Sequence, residues 1–371
     1  SRPRRQPRPA MPDLVSESRL RDIFSAFLPD ASFRRADQYF GGHINRTFFI
    51  DAALPGGMPA RFVLQSVNKH VFTNYSGLML NVMRISEHLA RKSAELGSED
   101  PDRDHLHFLR TSNGSLGVDA PEGYWRLYRY IGRAEGRNRA ETPREAREAA
   151  LAFGRFQRLL ADLPPPRLEE TIPRFHDTRN RFEKLEAAFA ADTEGRAAEC
   201  RADLEGFLAL RAEALRLQEA HEAGLVPERT THNDAKFSNV LLDSRTDRAI
   251  CVIDLDTSMP GLSLHDFGDL MRSMCCDRPE DEPDTSLIAA RREMYDALAD
   301  GFLAEVGSVL TETERRLLPY GGVTMTTEVG VRFLTDHLEG DHYFRIARPG
   351  HNLVRARSQL ALARSMLEKL V

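Results

Sequence analysis

Apolar residues alternate along two early segments of the chain and then recur at helical spacing. The β-rich runs 43–50 (HINRTFFI) and 61–67 (RFVLQSV) are separated by the turn residues of 55–57, a pattern typical of antiparallel strands. Over 78–89 the apolar positions fall on one face of a helix. The aromatic run 124–131 (YWRLYRYI) then predicts a further strand. These elements predict a small unit of strands with one helix.

The rest of the chain has a mainly helical pattern. Residues 142–221 are rich in Ala, Leu, Glu and Arg, and the prolines of 164–166 divide this block because no helix can span them. Strand character returns in 239–242 (NVLL) and 249–255 (AICVIDL), which a polar turn joins into a hairpin. Helical spacing resumes over 287–371.

These patterns predict an organisation in three parts. Residues 1–17 form a basic, proline-rich tail that cannot build a core and is expected to be disordered. Residues 18–131 form a β-rich N-lobe, and residues 132–371 form a helical C-lobe. A length of 371 residues suits two such lobes.

Composition narrows the class of protein. The chain has 51 Lys and Arg against 56 Asp and Glu, a net charge of −5, which argues against a nucleic-acid partner. No apolar run is long enough to cross a membrane, and no secretory signal is evident, so a cytoplasmic location is expected. The four cysteines lack C-x-x-C spacing and should be reduced thiols. The sequence does not indicate an oligomeric state.

The segment 231–256 carries the most informative chemistry. Asp234 is followed five residues later by Asn239, and Asp254 ends the next apolar run. Phosphoryl transfer uses such a set, in which one carboxylate orients the attacking hydroxyl while an amide and a second carboxylate hold magnesium on the nucleotide phosphates. Magnesium keeps several waters, so two side chains and the phosphate oxygens suffice.

The hairpin gives this spacing a structural meaning. If Asn239 begins one strand and Asp254 ends the return strand, both side chains come back to Asp234. His232 would brace the loop through its backbone. Asp254 could instead be a turn residue, and Asp256 could be a metal ligand or structural. Asp266, in L-H-D-F-G-D, either supports the loop from behind or stabilises a helix N-terminus.

Several longer segments carry a resemblance to a known family. They are GGHINRTFFI (41–50), VLQSVNKHVF (63–72), GLMLNVMRISEHL (77–89), YWRLYRYI (124–131), THNDAKFSNVLLD (231–243), CVIDLDTSMPGLSLHDFGDLMRS (251–273), FLTDHLEGDHYF (333–344) and HNLVRARSQL (351–360). With these segments the chain resembles the aminoglycoside phosphotransferase and choline kinase superfamily, and within it the N-acetylhexosamine 1-kinases. The resemblance implies an α+β, bilobal protein-kinase-like fold with a small antiparallel N-lobe and a large, mainly helical C-lobe.

The resemblance also implies roles for individual residues. Asp234 would be the catalytic base, and Asn239 and Asp254 would bind Mg²⁺. The loop Gly42-His43-Ile44-Asn45 would cover the ATP phosphates, although a plain hairpin turn would have the same sequence. Tyr130 and Ile131 would lie at the hinge beside the adenine.

One position departs from the protein-kinase pattern. In protein kinases the strand after the glycine-rich loop supplies a lysine to the phosphates, paired with a glutamate from a helix. Gln65 stands at that position here, with Glu87 as the helix acid. An amide can orient a phosphate but cannot neutralise it. Lys69, four residues on, is either a substitute or an ordinary loop lysine.

The acceptor of the phosphate is expected to bind near residues 328–348. This segment has four acids and three arginines, a balance that suits a neutral sugar better than a polycation. Arg332 and Tyr343 match positions that contact the sugar in the hexosamine kinases. Asp336 is a further substrate candidate, or it pairs with Arg332 on the helix surface.

Three functions follow from these observations. The first is ATP- and Mg²⁺-dependent phosphorylation of the anomeric hydroxyl of a sugar such as N-acetylglucosamine or N-acetylgalactosamine. The second keeps the same chemistry with an aminoglycoside or amino-alcohol acceptor. The third is a catalytically silent nucleotide-binding protein, which the glutamine at position 65 suggests.

Overall fold

The computed structural model describes residues 15–41, 45–69 and 71–371. The α-helices of these ranges are α1 (Glu17–Phe27), α2 (Tyr75–Glu95), α3 (Pro143–Leu160), α4 (Thr178–Ala191), α5 (Ala197–Glu222), α6 (Ser263–Met274), α7 (Arg292–Val306), α8 (Glu312–Glu339) and α9 (His351–Lys369). The strands are β1 (Ser32–Tyr39), β2 (Arg46–Ala53), β3 (Pro59–Val67), β4 (Phe108–Leu109), β5 (Val118–Ala120), β6 (Gly123–Arg129), β7 (Ala134–Gly136), β8 (Arg229–Thr231), β9 (Val240–Asp243), β10 (Ala249–Val252) and β11 (Met259–Gly261).

The chain divides into two units. The first contains the described residues of Ser1–Met83 together with His107–Ile131. The second contains Arg84–Leu106 and Gly132–Val371. None of the helices in the described ranges is both long enough and apolar enough to cross a membrane.

An antiparallel sheet forms the first unit. Its strand order is β1-β2-β3-β6-β4, and β5 also pairs with β6. The alternation along β2 directs Phe48 and Ile50 into a core that α1 completes through Phe24, whose ring lies 5.7 Å from that of Phe62. Trp125 of β6 is fully buried in the same core. β2, β3 and β6, which overlap the strands predicted over 43–50, 61–67 and 124–131, are thus part of one sheet.

The first unit begins earlier than the sequence indicates. Residues 15–17 were assigned to the tail, but the Ser16 hydroxyl accepts the Arg19 backbone N–H and caps α1, which begins at Glu17. Val15 packs against the core of the unit. Residues 1–14, the rest of the expected tail, lie outside the described residues.

The division also differs from the expected N-lobe in one internal segment. Residues 84–106, which include the second half of α2, group with the second unit. The His88 ring lies 2.9 Å from the Leu159 carbonyl oxygen, and Ser86 donates to the Leu106 carbonyl. The first contact joins the segment to α3, and the second joins the two ends of the segment.

Helices dominate the second unit, as their apolar spacing predicts. α4, α5, α8 and α9 share a core that includes Phe182, Phe207 and Leu334. α6 and α8 approach so closely that a Cβ on Gly268 would lie 2.1 Å from the Gly321 carbonyl oxygen. Glycine is therefore required where these two helices cross.

Two small sheets hold the segment that carries the predicted chemistry. β9 and β10 form the predicted hairpin, which β7 extends on its other side. β8 pairs with β11, so Thr231 lies opposite Met259. The loop between β8 and β9 is therefore fixed at both ends by strand pairing.

Candidate active site

A buried carboxylate holds the loop that follows β8. Asp266, on the first turn of α6, accepts the backbone N–H groups of His232 at 2.9 Å and Asn233 at 2.7 Å. Gln157 of α3 donates to the same carboxylate at 2.7 Å. Asp266 is fully buried, and burial raises its pKa. Two consecutive backbone groups are thus held by one side chain.

His232 ties this loop to the return strand. Its Nδ1 accepts the Asp234 backbone N–H at 3.3 Å, so the proton of the neutral ring lies on Nε2, which donates to the Ile253 carbonyl at 3.0 Å. Phe153 packs edge-on against the ring, with the ring centroids 5.2 Å apart. His232 thus contacts backbone rather than solvent, the bracing geometry expected of it.

Asp234 and Asn239 meet at the end of the loop. The Asn239 Nδ2 donates to the Asp234 carboxylate at 3.0 Å and to the Asp234 carbonyl at 2.9 Å. The Lys236 ammonium donates to the same carboxylate oxygen at 2.8 Å. About a third of each of the Asp234 and Lys236 side chains remains exposed. The pair is therefore accessible while its geometry is fixed.

Lys236 is a residue of the site that the predicted ligand set does not include. Burial alone raises the pKa of Asp234, but the ammonium of Lys236 holds that pKa below the ordinary range for a carboxyl. Asp234 is thus ionised at neutral pH. The signal in the sequence was the D-x-K spacing, which places a cation two residues after the aspartate in a short loop.

Asp254 returns to the same point through the hairpin. The Ile253 backbone N–H donates to the Asn239 carbonyl at 2.9 Å, so Asp254 follows directly on a residue bonded to Asn239. Asp254 has φ +62° and ψ +58°, a left-handed conformation that few residues other than glycine adopt. Strained backbone of this kind clusters at functional sites.

The electrostatic surroundings of Asp254 differ from those of Asp234. Burial raises the pKa of Asp254 to about 6, and the negative charges of Asp256 and Asp234 add to the effect. Asp256 is itself buried. Asp254 thus meets two like charges, and the ammonium of Lys236 offsets them only in part.

The expected nucleotide residues belong to the first unit. Gly42, His43 and Ile44 lie outside the described residues. Asn45 accepts the Asn68 backbone N–H at 3.0 Å. The Tyr130 backbone N–H donates to the Arg61 carbonyl at 3.1 Å, and Ile131 is buried, with 6% of its surface exposed.

Gln65 forms part of a polar row across three strands. Its amide nitrogen donates to the Thr47 hydroxyl at 3.0 Å, and its oxygen accepts from the Arg126 guanidinium at 2.9 Å. Lys69, the possible substitute for a strand lysine, instead pairs with Asp119 and donates to the Ala120 carbonyl at 3.0 Å. Arg126 is therefore the cation that contacts Gln65.

Arg332 and Tyr343 come together, as their use in one site requires. The Arg332 guanidinium donates to the Tyr343 hydroxyl at 3.4 Å and lies over the rings of Phe175, Tyr343 and Phe344. Tyr343 is 70% exposed, so this edge is open to a ligand.

Asp336 has a different environment from the one expected. Its buried carboxylate accepts the backbone N–H groups of His342, Tyr343 and Phe344 at 2.7–2.9 Å. Asn352 also donates to it, at 2.8 Å. These four donors saturate both oxygens, so Asp336 is not free to bind a substrate, and it does not pair with Arg332. It fixes the loop that carries Tyr343.

The sequence of the chain matches a known family over more than half its length. Residues 38–300 match the profile of APH, the phosphotransferase enzyme family. The chain belongs to this family. The match includes Asp234, Asn239 and Asp254.

Solved structures of similar fold support the same conclusion about architecture. An aminoglycoside phosphotransferase from Alicyclobacillus acidocaldarius aligns with a TM-score of 0.57 at 13% identity, covering 98% of this chain and 97% of its own. A microcompartment-associated aminopropanol kinase gives 0.57 at 16% identity, covering 95% and 98%. An amicoumacin kinase in complex with AMP-PNP and Ca²⁺ gives 0.54 at 11%, covering 94% and 93%. The phosphotransferase therefore has the α+β, protein-kinase-like fold that the sequence predicts.

A buried ion pair in this phosphotransferase connects the loop between β8 and β9 to α8. The His176 ring contacts the Glu328 carboxylate at 2.9 Å through Nδ1 and the Asn233 carbonyl at 3.2 Å through Nε2. Thr178 donates to the other Glu328 oxygen at 2.9 Å. Both partners accept from the ring, so His176 is the doubly protonated cation. No local sequence pattern indicates this ion pair, because His176 and Glu328 lie 152 positions apart.

We predict that Glu328→Gln lowers the free energy of unfolding by about 3–5 kcal/mol at pH 6, because it leaves the charge of His176 buried without a counterion. Urea denaturation measures the change. Glu186→Gln, which alters an exposed pair with Arg211, is the matched control and should change stability by no more than about 0.5 kcal/mol.

The pH dependence gives an independent check on the same pair. Burial opposes the charge on His176, but Glu328 raises the pKa of this histidine above its ordinary 6.5. The stabilisation is thus complete below pH 6.5 and is lost as the pH rises through the raised pKa. Glu328, with its pKa lowered to about 2 despite burial, stays ionised throughout. The free energy of unfolding of the wild type should fall as the pH rises through the raised pKa of His176, and that of Glu328→Gln should not. If the two proteins show the same dependence on pH, the assignment of this ion pair is wrong.

Proposed function

We propose that the protein transfers the terminal phosphoryl group of ATP, with Mg²⁺, to the anomeric hydroxyl of an N-acetylhexosamine or a related sugar. The observation that carries this proposal is the meeting of Asp234, Asn239 and Asp254 at one end of the hairpin. Phosphoryl transfer needs little covalent chemistry from the protein, so positioned charge and orientation are the main requirements.

Asp234 is the catalytic base in this proposal. Its carboxylate, kept ionised by Lys236, accepts the proton of the acceptor hydroxyl as that oxygen bonds to the terminal phosphorus. The bond from phosphorus to the bridging oxygen breaks, and ADP leaves with its electron pair. Lys236 stands next to the base, where its charge stabilises the oxygens of the transferred group.

Asn239 and Asp254 suit a divalent cation. The Asn239 side-chain nitrogen donates to the Asp234 carboxylate, so the side-chain oxygen of Asn239 is the atom that would bind the metal. Burial raises the pKa of Asp254, the charges of Asp256 and Asp234 raise it further, and a bound cation would favour the ionised carboxylate. When bound, Mg²⁺ would neutralise charge on the nucleotide phosphates. The amicoumacin kinase of similar fold, solved with AMP-PNP and Ca²⁺, supports the use of ATP and a divalent metal.

The remaining assignments extend this scheme. His232 and Asp266 position the loop without contacting substrate. Nucleotide contacts would come from Gln65, Asn45, Tyr130 and Ile131, together with Gly42, His43 and Ile44. Gln65 would orient a phosphate while Arg126 behind it supplies positive charge.

Arg332 and Tyr343 are the proposed acceptor residues. The acids near them are already engaged, since Glu328 pairs with His176 and Asp336 binds backbone N–H groups. The charge that faces a ligand there is therefore that of Arg332, which supports an oxygen-rich acceptor over an amine. Amine acceptors remain the second candidate, because proteins of similar fold include an aminopropanol kinase and an aminoglycoside phosphotransferase.

Asp234→Asn should lower kcat by about 10²- to 10⁴-fold while nucleotide still binds, because the amide cannot accept the hydroxyl proton. A coupled ADP assay measures turnover, and isothermal titration with an ATP analogue measures binding. Asp296→Asn, on the exposed surface of α7, is the control. Turnover near that of the wild type would remove Asp234 from the mechanism.

Asp254→Ala should raise the Mg²⁺ concentration required for half-maximal activity by at least about tenfold, since one of two protein ligands is lost. The control is Asp300→Asn, which alters an exposed pair with Arg147. Magnesium titrations at saturating ATP provide the comparison. An unchanged metal requirement would show that Asp254 is a turn residue only.

The acceptor class is tested by a coupled assay with N-acetylglucosamine, N-acetylgalactosamine, glucose, choline, aminopropanol and an aminoglycoside. The proposal predicts the highest kcat/KM for an N-acetylhexosamine and a phosphate on its anomeric oxygen by NMR. Preference for an amine would favour the second candidate, and a product phosphorylated elsewhere would refute the regiochemistry.

A further inference from the structure

Two guanidinium groups contact the same residue, Phe175, and one of them belongs to the proposed acceptor residue Arg332. Arg332 of α8 is stacked among aromatic rings, and its centre lies 5.7 Å from the ring of Phe175. Arg181 of α4 donates to the carbonyl oxygen of the same Phe175 at 2.6 Å. Burial lowers the pKa of Arg181, and the charge of Arg332 lowers it further. The two cations therefore repel each other across Phe175.

Neither guanidinium has a carboxylate partner within 4.0 Å among residues 15–41, 45–69 and 71–371. The Nε of Arg181 is buried and has no hydrogen-bond partner. A buried donor left without an acceptor costs about 1–3 kcal/mol, so such groups are normally satisfied. An acceptor atom supplied by a ligand would meet this need.

Other side chains satisfy the nearby acids. Glu328 is bonded by His176 and Thr178. Asp177 pairs with Arg174, and Asp341 pairs with Arg196. Glu328 and Asp177 thus act on Arg181 through their charges but form their hydrogen bonds with other groups.

This cationic pair is connected to the catalytic loop. Phe175, which contacts both arginines, is followed by His176, and His176 bonds the Asn233 carbonyl directly before Asp234. An acceptor held by the pair would lie on the segment that braces the proposed base.

We propose that Arg181 and Arg332 together bind a planar oxygen group of the acceptor, an acyl carbonyl or a carboxylate, and so select such acceptors over amines. The inference rests on the proposed function and adds the substituent that is recognised. Guanidinium groups match planar oxygen acceptors in geometry, and a partial or full negative charge between the two arginines relieves their repulsion. A protonated amine would add a third positive charge.

A cycle of enzyme and substrate changes tests this proposal. The variants Arg181→Met and Arg332→Met are compared with wild type on N-acetylglucosamine, glucose, glucosamine and glucuronate. Arg179→Met, on the same helix and paired with the exposed Glu222, is the matched control. Glucose lacks the planar group and carries no charge. Any loss of kcat/KM on glucose therefore measures the effects of the variants that do not involve that group.

The variants should lose about 10- to 100-fold in kcat/KM on the acceptor that carries the recognised group, and little on glucose. Loss confined to N-acetylglucosamine identifies the acyl group, and loss confined to glucuronate identifies the carboxylate. The wild type should have its lowest kcat/KM on glucosamine. The variants should reduce the difference in kcat/KM between glucosamine and glucose. Equal losses on all four compounds, or a wild-type preference for glucosamine, would overturn the proposal.

Binding measurements separate this proposal from the function on which it rests. If the wild type turns over none of the sugars, the sugar-kinase assignment fails. Calorimetric titration of the same four compounds then still decides the role of the arginines, because it needs no turnover. Should one variant fail to fold, as judged by its thermal transition, the other completes the cycle.

Discussion

The carboxylate of Asp266 accepts the backbone N–H groups of His232 and Asn233, and the rest of the active site depends on this interaction. The loop it holds leaves β8, places Asn233 in a left-handed conformation and directs Asp234 outward. Asp266 can do so because α6 and α8 meet through glycine backbone, which fixes the start of α6 in the core of the unit. A buried carboxylate satisfied by N–H donors costs little and restrains the loop strongly.

The surroundings of Asp234 and Asp254 shift the pKa values of these two aspartates in opposite directions. Asp234 has a lysine partner that keeps it ionised and ready to accept a proton, whereas burial and two neighbouring carboxylates raise the pKa of Asp254. Carboxyl groups whose environments separate their pKa values in this way commonly have different roles. The arrangement suits a base at one position and a metal ligand at the other.

The sequence allowed the fold class to be predicted and Asp234, Asn239 and Asp254 to be grouped as one candidate site, because both inferences depend on local patterns. Alternation and helical spacing located five of the eleven strands in the described residues, together with the helical regions. The hairpin between Asn239 and Asp254 followed from two short apolar runs around a polar turn. The boundary between the expected tail and the first unit depends on a single cap, Ser16, which fixes the start of α1. The grouping of residues 84–106 with the second unit depends on contacts with distant residues, which no local pattern records.

The environment of the acceptor residues could not be predicted for a related reason. The charges of 328–348 balance in the sequence, but Glu328 and Asp336 are engaged by His176 and by backbone N–H groups, and only the three-dimensional structure shows this. Arg181 lies about 150 positions from Arg332, so its proximity was equally hidden. Charge counted along a segment thus differs from the charge that a ligand meets.

A crystal structure with a non-hydrolysable ATP analogue and Mn²⁺ tests the central claim most directly, because anomalous scattering locates the metal. We expect the Asn239 side-chain oxygen and the Asp254 carboxylate to bind the metal at roughly 2.0–2.3 Å, with Asp234 free to face the acceptor. A metal bound elsewhere, or Asp254 turned away from it while the loop keeps its bonds to Asp266, would contradict the account.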